Sequence, residues 1–297
     1  MITSTTVKAS TVAPKSRSWR AWFPWAAIGA LLLVCYSPML YRMAAVWIED
    51  DNMSHGLFVP IAAAYIAWTK RDLLEQIKPK VNYWGLLLVL FGFMTLCIGP
   101  PSLPTWVFIV RSSFLFSLVG CILFLGGTAI LRALVYPLLL LPLMIPFPFY
   151  DQLTLPLQFI ASTLAENFLT VLGYSVLREG NILYLPTQTL NVAEACSGLR
   201  SIYALTFLTL TYSYFFTPRT WARWILAAAI LPVAILVNAM RVTLTAIMGI
   251  YNPAWTEGTY HEMLGWSVFV LAFAIILGLN AMLKKVPRLA GPLPAKR

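Results

Sequence analysis

The chain has 297 residues, 60% of them hydrophobic and 11% charged, with a formal net charge of +10. So apolar a composition excludes an ordinary soluble domain and marks a polytopic membrane protein, with the lipid bilayer as its first partner. The basic surplus does not call for nucleic acid, because the lysines and arginines sit in short clusters between apolar runs, where they set orientation in a bilayer.

A hydrocarbon core of about 30 Å takes roughly 20 apolar helical residues per crossing. Eight runs meet that measure, at roughly 21–40, 55–69, 83–99, 107–125, 129–149, 197–216, 224–250 and 265–283. The first, AWFPWAAIGALLLVCYSPML, is long enough to span and lacks a small-x-small cleavage site, so it reads as a retained span and not as a signal peptide. The fifth, AILRALVYPLLLLPLMIPFPF, is proline-rich and is expected to kink or end early, since proline removes a backbone donor and clashes with the preceding turn. With the N-terminus cytoplasmic, the inner segments hold every basic residue but Arg42, Arg111, Arg178, Arg200 and Arg241. That bias fits an even number of spans with both termini inside. The organisation expected is a basic cytoplasmic tail over 1–20, one all-α transmembrane domain over 21–285, and a second basic cytoplasmic tail over 286–297.

Between the fifth and sixth runs lies the one long outer segment, about 150–196. Its first part, LTLPLQFIASTLAENFLTVLGY, has helical periodicity with a weak polar face and is expected to be an interfacial or re-entrant helix. Its second part, SVLREGNILYLPTQTLNVAEA, alternates around Glu179-Gly180-Asn181 as a small β-hairpin does. No internal repeat is visible, which leaves the inverted-repeat architecture of many transporters without support.

Of the four cysteines, Cys35, Cys97 and Cys121 lie inside apolar runs, where a thiol behaves as a small hydrophobe. There is no CxxC or paired spacing, so neither a disulfide framework, a zinc site nor any other cofactor is expected. Cys196 alone has polar neighbours, Glu194, Ser197 and Arg200. At the outer start of the sixth span, with Arg200 one helical turn deeper, both the helix N-terminus and the guanidinium favour the thiolate. The plain structural reading is a small residue at a helix start beside a snorkelling arginine.

Arg241 weighs against the plain reading. It lies inside the seventh run with Asn238 and Thr245 on the same helical face. An arginine near the bilayer centre costs at least ~2.5 kcal/mol on insertion scales, so it normally faces a protein interior or a wet cavity. The only histidines, His55 and His261, both fall on the outer side, His261 in the last outer loop. A thiol near an imidazole can be activated as a nucleophile, and a fixed guanidinium can hold the oxyanion of an attacked carbonyl. Cys196, His261 and Arg241 together suggest acyl transfer on a peptide bond.

Four stretches, ACSGLRS around Cys196, NAMRV around Arg241, His261 in its loop, and DNMSHGLFVPIAAAYIAWTKR at 51–71, resemble the exosortase/archaeosortase family of membrane-embedded cysteine transpeptidases over about 40–285. The resemblance implies residence in a bacterial inner membrane with the active site toward the outer face. It implies substrate proteins that end in a sorting signal: a short motif, often Pro-Glu-Pro, then a transmembrane helix and a basic tail. Cys196 then forms a thioester, His261 serves as base and acid, and Arg241 holds the oxyanion or aligns the thiolate. The acyl group passes to an acceptor or to water. Arg200 is expected to pair with the signal's glutamate or with Glu194. His55 is expected either to line the same pocket or to open a helix. Two other readings compete: a multi-pass transporter binding an anionic or lipid-linked solute through Arg200 and Arg241, and a lipid acyltransferase using His261. The thiol separates them, since a transporter tolerates its loss.

Overall fold

The computed structural model describes residues 23–97, 104–146, 150–192, 198–256 and 258–286. Nine helices and three short strands occur among these residues: α1 Phe23–Glu49, α2 Phe58–Thr69, α3 Arg71–Gln76, α4 Trp84–Cys97, α5 Pro104–Leu140, α6 Tyr150–Val171, β1 Leu177–Glu179, β2 Ile182–Tyr184, β3 Thr189–Asn191, α7 Leu199–Phe216, α8 Thr220–Tyr251 and α9 Gly258–Lys285. Four helical stretches, Phe23–Glu49, Thr105–Met144, Thr220–Tyr251 and Gly258–Lys285, are long and apolar enough to cross a membrane, and α4 is a shorter apolar helix.

The fourth and fifth apolar runs share α5, which is interrupted at Gly127, where φ is 74° and ψ −176°. Only glycine adopts that conformation readily. Contacts with α1 give the consequence. Trp25 lies against Gly126, Tyr36 bonds the Ser113 carbonyl and the Ser117 hydroxyl, and Trp47 bonds the Met144 carbonyl. Trp25 and Trp47 are about 33 Å apart along a helix rising 1.5 Å per residue. The limb before Gly127 therefore runs toward the start of α1 and the limb after it runs back toward the end of α1. The first limb packs closely on α4, where Gly85 faces Gly120 and Gly92 faces Ser117, the small-residue contact that lets helices approach in lipid.

The proline-rich run ends in a 3₁₀ turn at Leu141–Met144. Pro146 and Pro148 bring no N–H back to the preceding turn. Side chains take over: His55 Nε2 donates to the Leu143 carbonyl (3.1 Å) and Trp47 Nε1 to the Met144 carbonyl (2.8 Å). His55 itself stands in a second 3₁₀ turn, Asp51–Leu57, so the helix expected from about 55 starts only at Phe58. Its ring is buried and stacked on Tyr203 of α7, with centroids 5.7 Å apart. One imidazole thus ties the α1–α2 connection, the end of α5 and the start of α7.

The segment between the fifth and sixth apolar runs differs from the expected single hairpin. It forms a three-stranded antiparallel sheet in the order β1-β2-β3, with Arg178 opposite Leu183 and Leu183 opposite Leu190. The third strand is folded back by a turn in which Leu185 and Gln188 exchange backbone hydrogen bonds around Pro186. The helix α6 packs its Ala161, Ala165 and Leu169 into a core with Leu183 of the sheet and Val242 and Ala246 of α8. Polar pairs fix the register: Arg178 with Glu166 at 2.8 Å, and the Ser162 hydroxyl donating to the Gly180 carbonyl at 3.1 Å. A separate core of Leu205, Leu226, Val237, Val268 and Ile276 joins α7, α8 and α9.

Burial pushes the His55 imidazole below its ordinary value, against a smaller upward pull from the Leu143 and Asn52 carbonyls. An unfolded imidazole titrates near 6.5. The stability His55 contributes is therefore full above that pH and is lost as the pH falls through the lower folded value. Thermal melts of the purified protein should show His55→Leu destabilised by about 1–3 kcal/mol for the carbonyl left without a donor. His55→Gln, which keeps a donor, should cost less, and its melting temperature should fall less steeply than that of the parent between pH 7 and pH 5.

Candidate active site

Arg241 is carried by α8 and His261 by the first turn of α9, and the two meet: Arg241 Nη2 lies 2.8 Å from His261 Nε2. A guanidinium has only donors, so the imidazole nitrogen accepts. In this arrangement His261 is therefore neutral with its proton on Nδ1, and the positive charge of the pair resides on Arg241. Gly265 follows His261 by one turn on the same face of α9. A Cβ at Gly265 would come within 3.1 Å of Arg241 Nη2 and 3.3 Å of Cζ. The glycine is what lets α9 lie this close to the guanidinium.

One turn before Arg241 on α8, Asn238 is buried, as is Thr245 one turn after it. Asn238 packs against Gly198, where a Cβ would come 2.8 Å from Asn238 Cγ. Gly198 has φ 81° and caps α7, which begins at Leu199. The helix α7 thus begins at Leu199, and the expected one-turn relation between Cys196 and Arg200 falls on a residue outside the described ones. Cys196 and Glu194 themselves lie outside the described residues.

Arg200 sits in the first turn of α7 and faces the other way. It bonds Asp51 at 3.3 Å and Asn52 at 3.2 Å, in the 3₁₀ turn after α1. Both members of the Arg200–Asp51 pair are substantially exposed, so the ion pair is exchangeable. His55 belongs to the same turn but points to Leu143 and Tyr203, which makes it a brace for that turn. The structure thus joins Arg241 with His261, sets Asn238 against Gly198, and places Arg200 and His55 with the α1–α2 turn.

Sequence reasoning passed over Gly265, Asp51 and Gln188. Gly265 was detectable as the residue four after His261, and Asp51 as part of the acidic run between the first two spans. Gln188 had no such signal. Its side chain donates to the Ala246 carbonyl of α8 at 2.9 Å and fills the space left by Gly249, pinning the sheet to the helix that carries Arg241. Among the described residues, no group of three or more His, Cys, Asp or Glu could hold a metal ion.

The family model for transmembrane exosortases (Exosortase_EpsH) matches residues 47–278, more than three quarters of the chain. The chain belongs to the transmembrane exosortase family. No curated protein and no solved structure matches it. The matched stretch of this exosortase runs from the end of α1 into α9 and contains His55, Arg200, Asn238, Arg241, His261 and Gly265.

A double-mutant cycle tests the shared space between α8 and α9. Gly265→Val should cost about 1–3 kcal/mol by overpacking against the guanidinium. In an Arg241→Ala background it should cost much less, with a coupling of at least ~0.5 kcal/mol in thermal or denaturant melts. Additive losses would mean that the two side chains do not compete for one space.

Proposed function

We propose that this exosortase is a membrane-embedded cysteine transpeptidase of the bacterial inner membrane. Its substrates are exported proteins whose C-terminal sorting signal combines a Pro-Glu-Pro-type motif, a transmembrane helix and a basic tail. In this reading the single domain over 21–285 crosses the bilayer eight times, the tails 1–20 and 286–297 are cytoplasmic, and the active site faces outward. The observation that carries the reading is the Arg241–His261 pair, one turn from the Asn238 that packs on Gly198. Two peptide units separate Cys196 from Gly198, so their Cα atoms lie no more than about 7 Å apart whatever the path of the chain.

The chemistry proposed follows from the donor count. Arg241 holds His261 Nε2 in the resting arrangement, and the carbonyl of the bound signal takes over the guanidinium as negative charge grows on its oxygen. Nε2 is then free to accept the proton of the Cys196 thiol. The thiolate attacks the carbonyl carbon, the tetrahedral oxyanion rests on Arg241, and its collapse breaks the C–N bond. The imidazolium gives its proton to the leaving amine, which departs with the transmembrane helix and basic tail. The remaining thioester is opened by an acceptor nucleophile or by water, with His261 again as base. In this scheme Asn238 supports the Arg241 side chain. Arg200 exchanges Asp51 for the glutamate of the signal, a site for which Glu194 also competes, and His55 acts only through the turn it braces.

Coexpression with a protein bearing such a tail, followed by the mass of its new C-terminus, tests the proposal. The parent should release the tail, and Cys196→Ala should leave it intact. Arg241→Gln should slow release by about 10²–10³-fold through loss of an oxyanion donor. Equal processing by parent and Cys196→Ala would sink the peptidase reading and favour a transporter that needs only the arginines.

A further inference from the structure

At the end of the molecule opposite the Arg241–His261 pair, the last three helices gather cations with no carboxylate near them in sequence. No Asp or Glu occurs between Glu194 and Glu257, and none after Glu262. Among the described residues the ion pairs are Arg71–Asp72, Arg178–Glu166 and Arg200–Asp51, so among these residues Lys70, Arg219, Arg223 and Lys284 are in no ion pair, although Asp72 stands two residues from Lys70. The donors of Lys70, Arg219 and Arg223 go to backbone instead. Lys70 Nζ bonds the Ala133 carbonyl at 2.6 Å, Arg223 bonds the carbonyls of Thr217 and Tyr214 at the end of α7, and Arg219 bonds those of Leu283 and Val286 at the end of α9. Carbonyls at helix ends neutralise only part of a full charge. Burial, and after it the charge of Arg223, pushes the Lys70 amine below its ordinary value.

Between the start of α8 and the end of α9 a cleft of about 100 Å³ opens into this field. Arg219 and Lys284 stand at its rim, buried Thr217 and Asn280 form its floor, and Ala222 and Leu283 give it an apolar wall. Thr217 donates to Asn280 Oδ1 at 3.0 Å, which holds the floor rigid. Beside it Trp221 and Trp224 are exposed, and the Arg219 guanidinium lies 5.9 Å from the Trp221 ring. Exposed tryptophans at a helix end mark the headgroup level of a bilayer.

We propose that this cleft binds the phosphate headgroup of an anionic glycerophospholipid. The two rim cations take the phosphate, and the apolar wall takes the glycerol and the first methylenes of the chains. An apolar wall at headgroup depth favours a lipid over a free anion, since an inorganic phosphate leaves that wall unused. Basic clefts between transmembrane helices are suited to such headgroups, and here no Asp or Glu stands among the residues that line the cleft.

The test uses the full chain, purified with phosphatidylglycerol or with phosphatidylcholine and examined for retained lipid by native mass spectrometry. Phosphatidylglycerol should be retained and phosphatidylcholine not. The exposed Lys284→Gln change should weaken retention about five-fold, the worth of one basic residue at a membrane surface. Lys78→Gln, at an exposed residue that does not line the cleft, should leave retention unchanged. Equal retention by parent and Lys284→Gln overturns the site, and so does an equal loss in Lys78→Gln, which would make the attraction diffuse. Melting in phosphatidylcholine discs supplies the last arm: inorganic phosphate raising the melting temperature as much as phosphatidylglycerol does would identify a free-anion site and overturn the lipid assignment.

Discussion

A backbone carbonyl inside a bilayer has no water to turn to, and the fold is organised around that constraint. The chain breaks its helices repeatedly, with prolines after α5, with Gly127 inside it, and with short turns between α1 and α2 and between α7 and α8. At Gly127 the backbone N–H of Lys80 bonds the Gly126 carbonyl, and elsewhere side chains, most of them from distant segments, supply donors. Trp47 and His55 serve the end of α5, Lys70 serves Ala133, Tyr136 serves Leu210, and Arg219 and Arg223 serve the ends of α9 and α7. These bonds join residues that are mostly far apart in the chain, so satisfying the backbone also fixes which helices are neighbours.

Against that background Arg241 differs in kind. The other arginines and the lysine with interior bonds donate to carbonyls or carboxylates, which need a donor and have nothing to exchange. Arg241 donates to an imidazole nitrogen, a group that can accept a proton once the guanidinium leaves it. A bond of that type is a poor way to hold two helices together and a useful way to keep a base in one tautomer. The closeness of α9 depends on Gly265, which is a steric condition and not a chemical one.

The apolar runs were legible because hydropathy is a local property, and the long helices α1, α8 and α9 follow them. The placement of Arg241 and His261 at the same level was legible as well, through the charge bias that sets topology. What was not legible depends on contacts distant in sequence. Arg200 has a carboxylate six residues away in Glu194, yet its observed partner is Asp51, 149 residues earlier. The start of α7 at Leu199 hinges on Gly198 taking a positive φ, a residue that marks helix ends more often than beginnings. The third strand rests on a turn at Pro186 and on Gln188 reaching α8, and neither leaves a periodic trace.

These distant contacts converge on one short piece of chain. Before it, Val192 is buried beside the sheet and held to the Asn181 carbonyl, and Gln188 locks that sheet to Ala246. After it, Gly198 packs on Asn238, and Arg200 is tied to Asp51. Ala246 and Asn238 lie on α8 on either side of Arg241, about 12 Å apart along a helix rising 1.5 Å per residue. Both flanks of the segment bearing Cys196 are thus docked on the helix that presents the guanidinium. The two anchors belong to the described residues on either side of 193–197. The sheet, which looks peripheral in a helical membrane protein, is the device that imposes the first of those anchors.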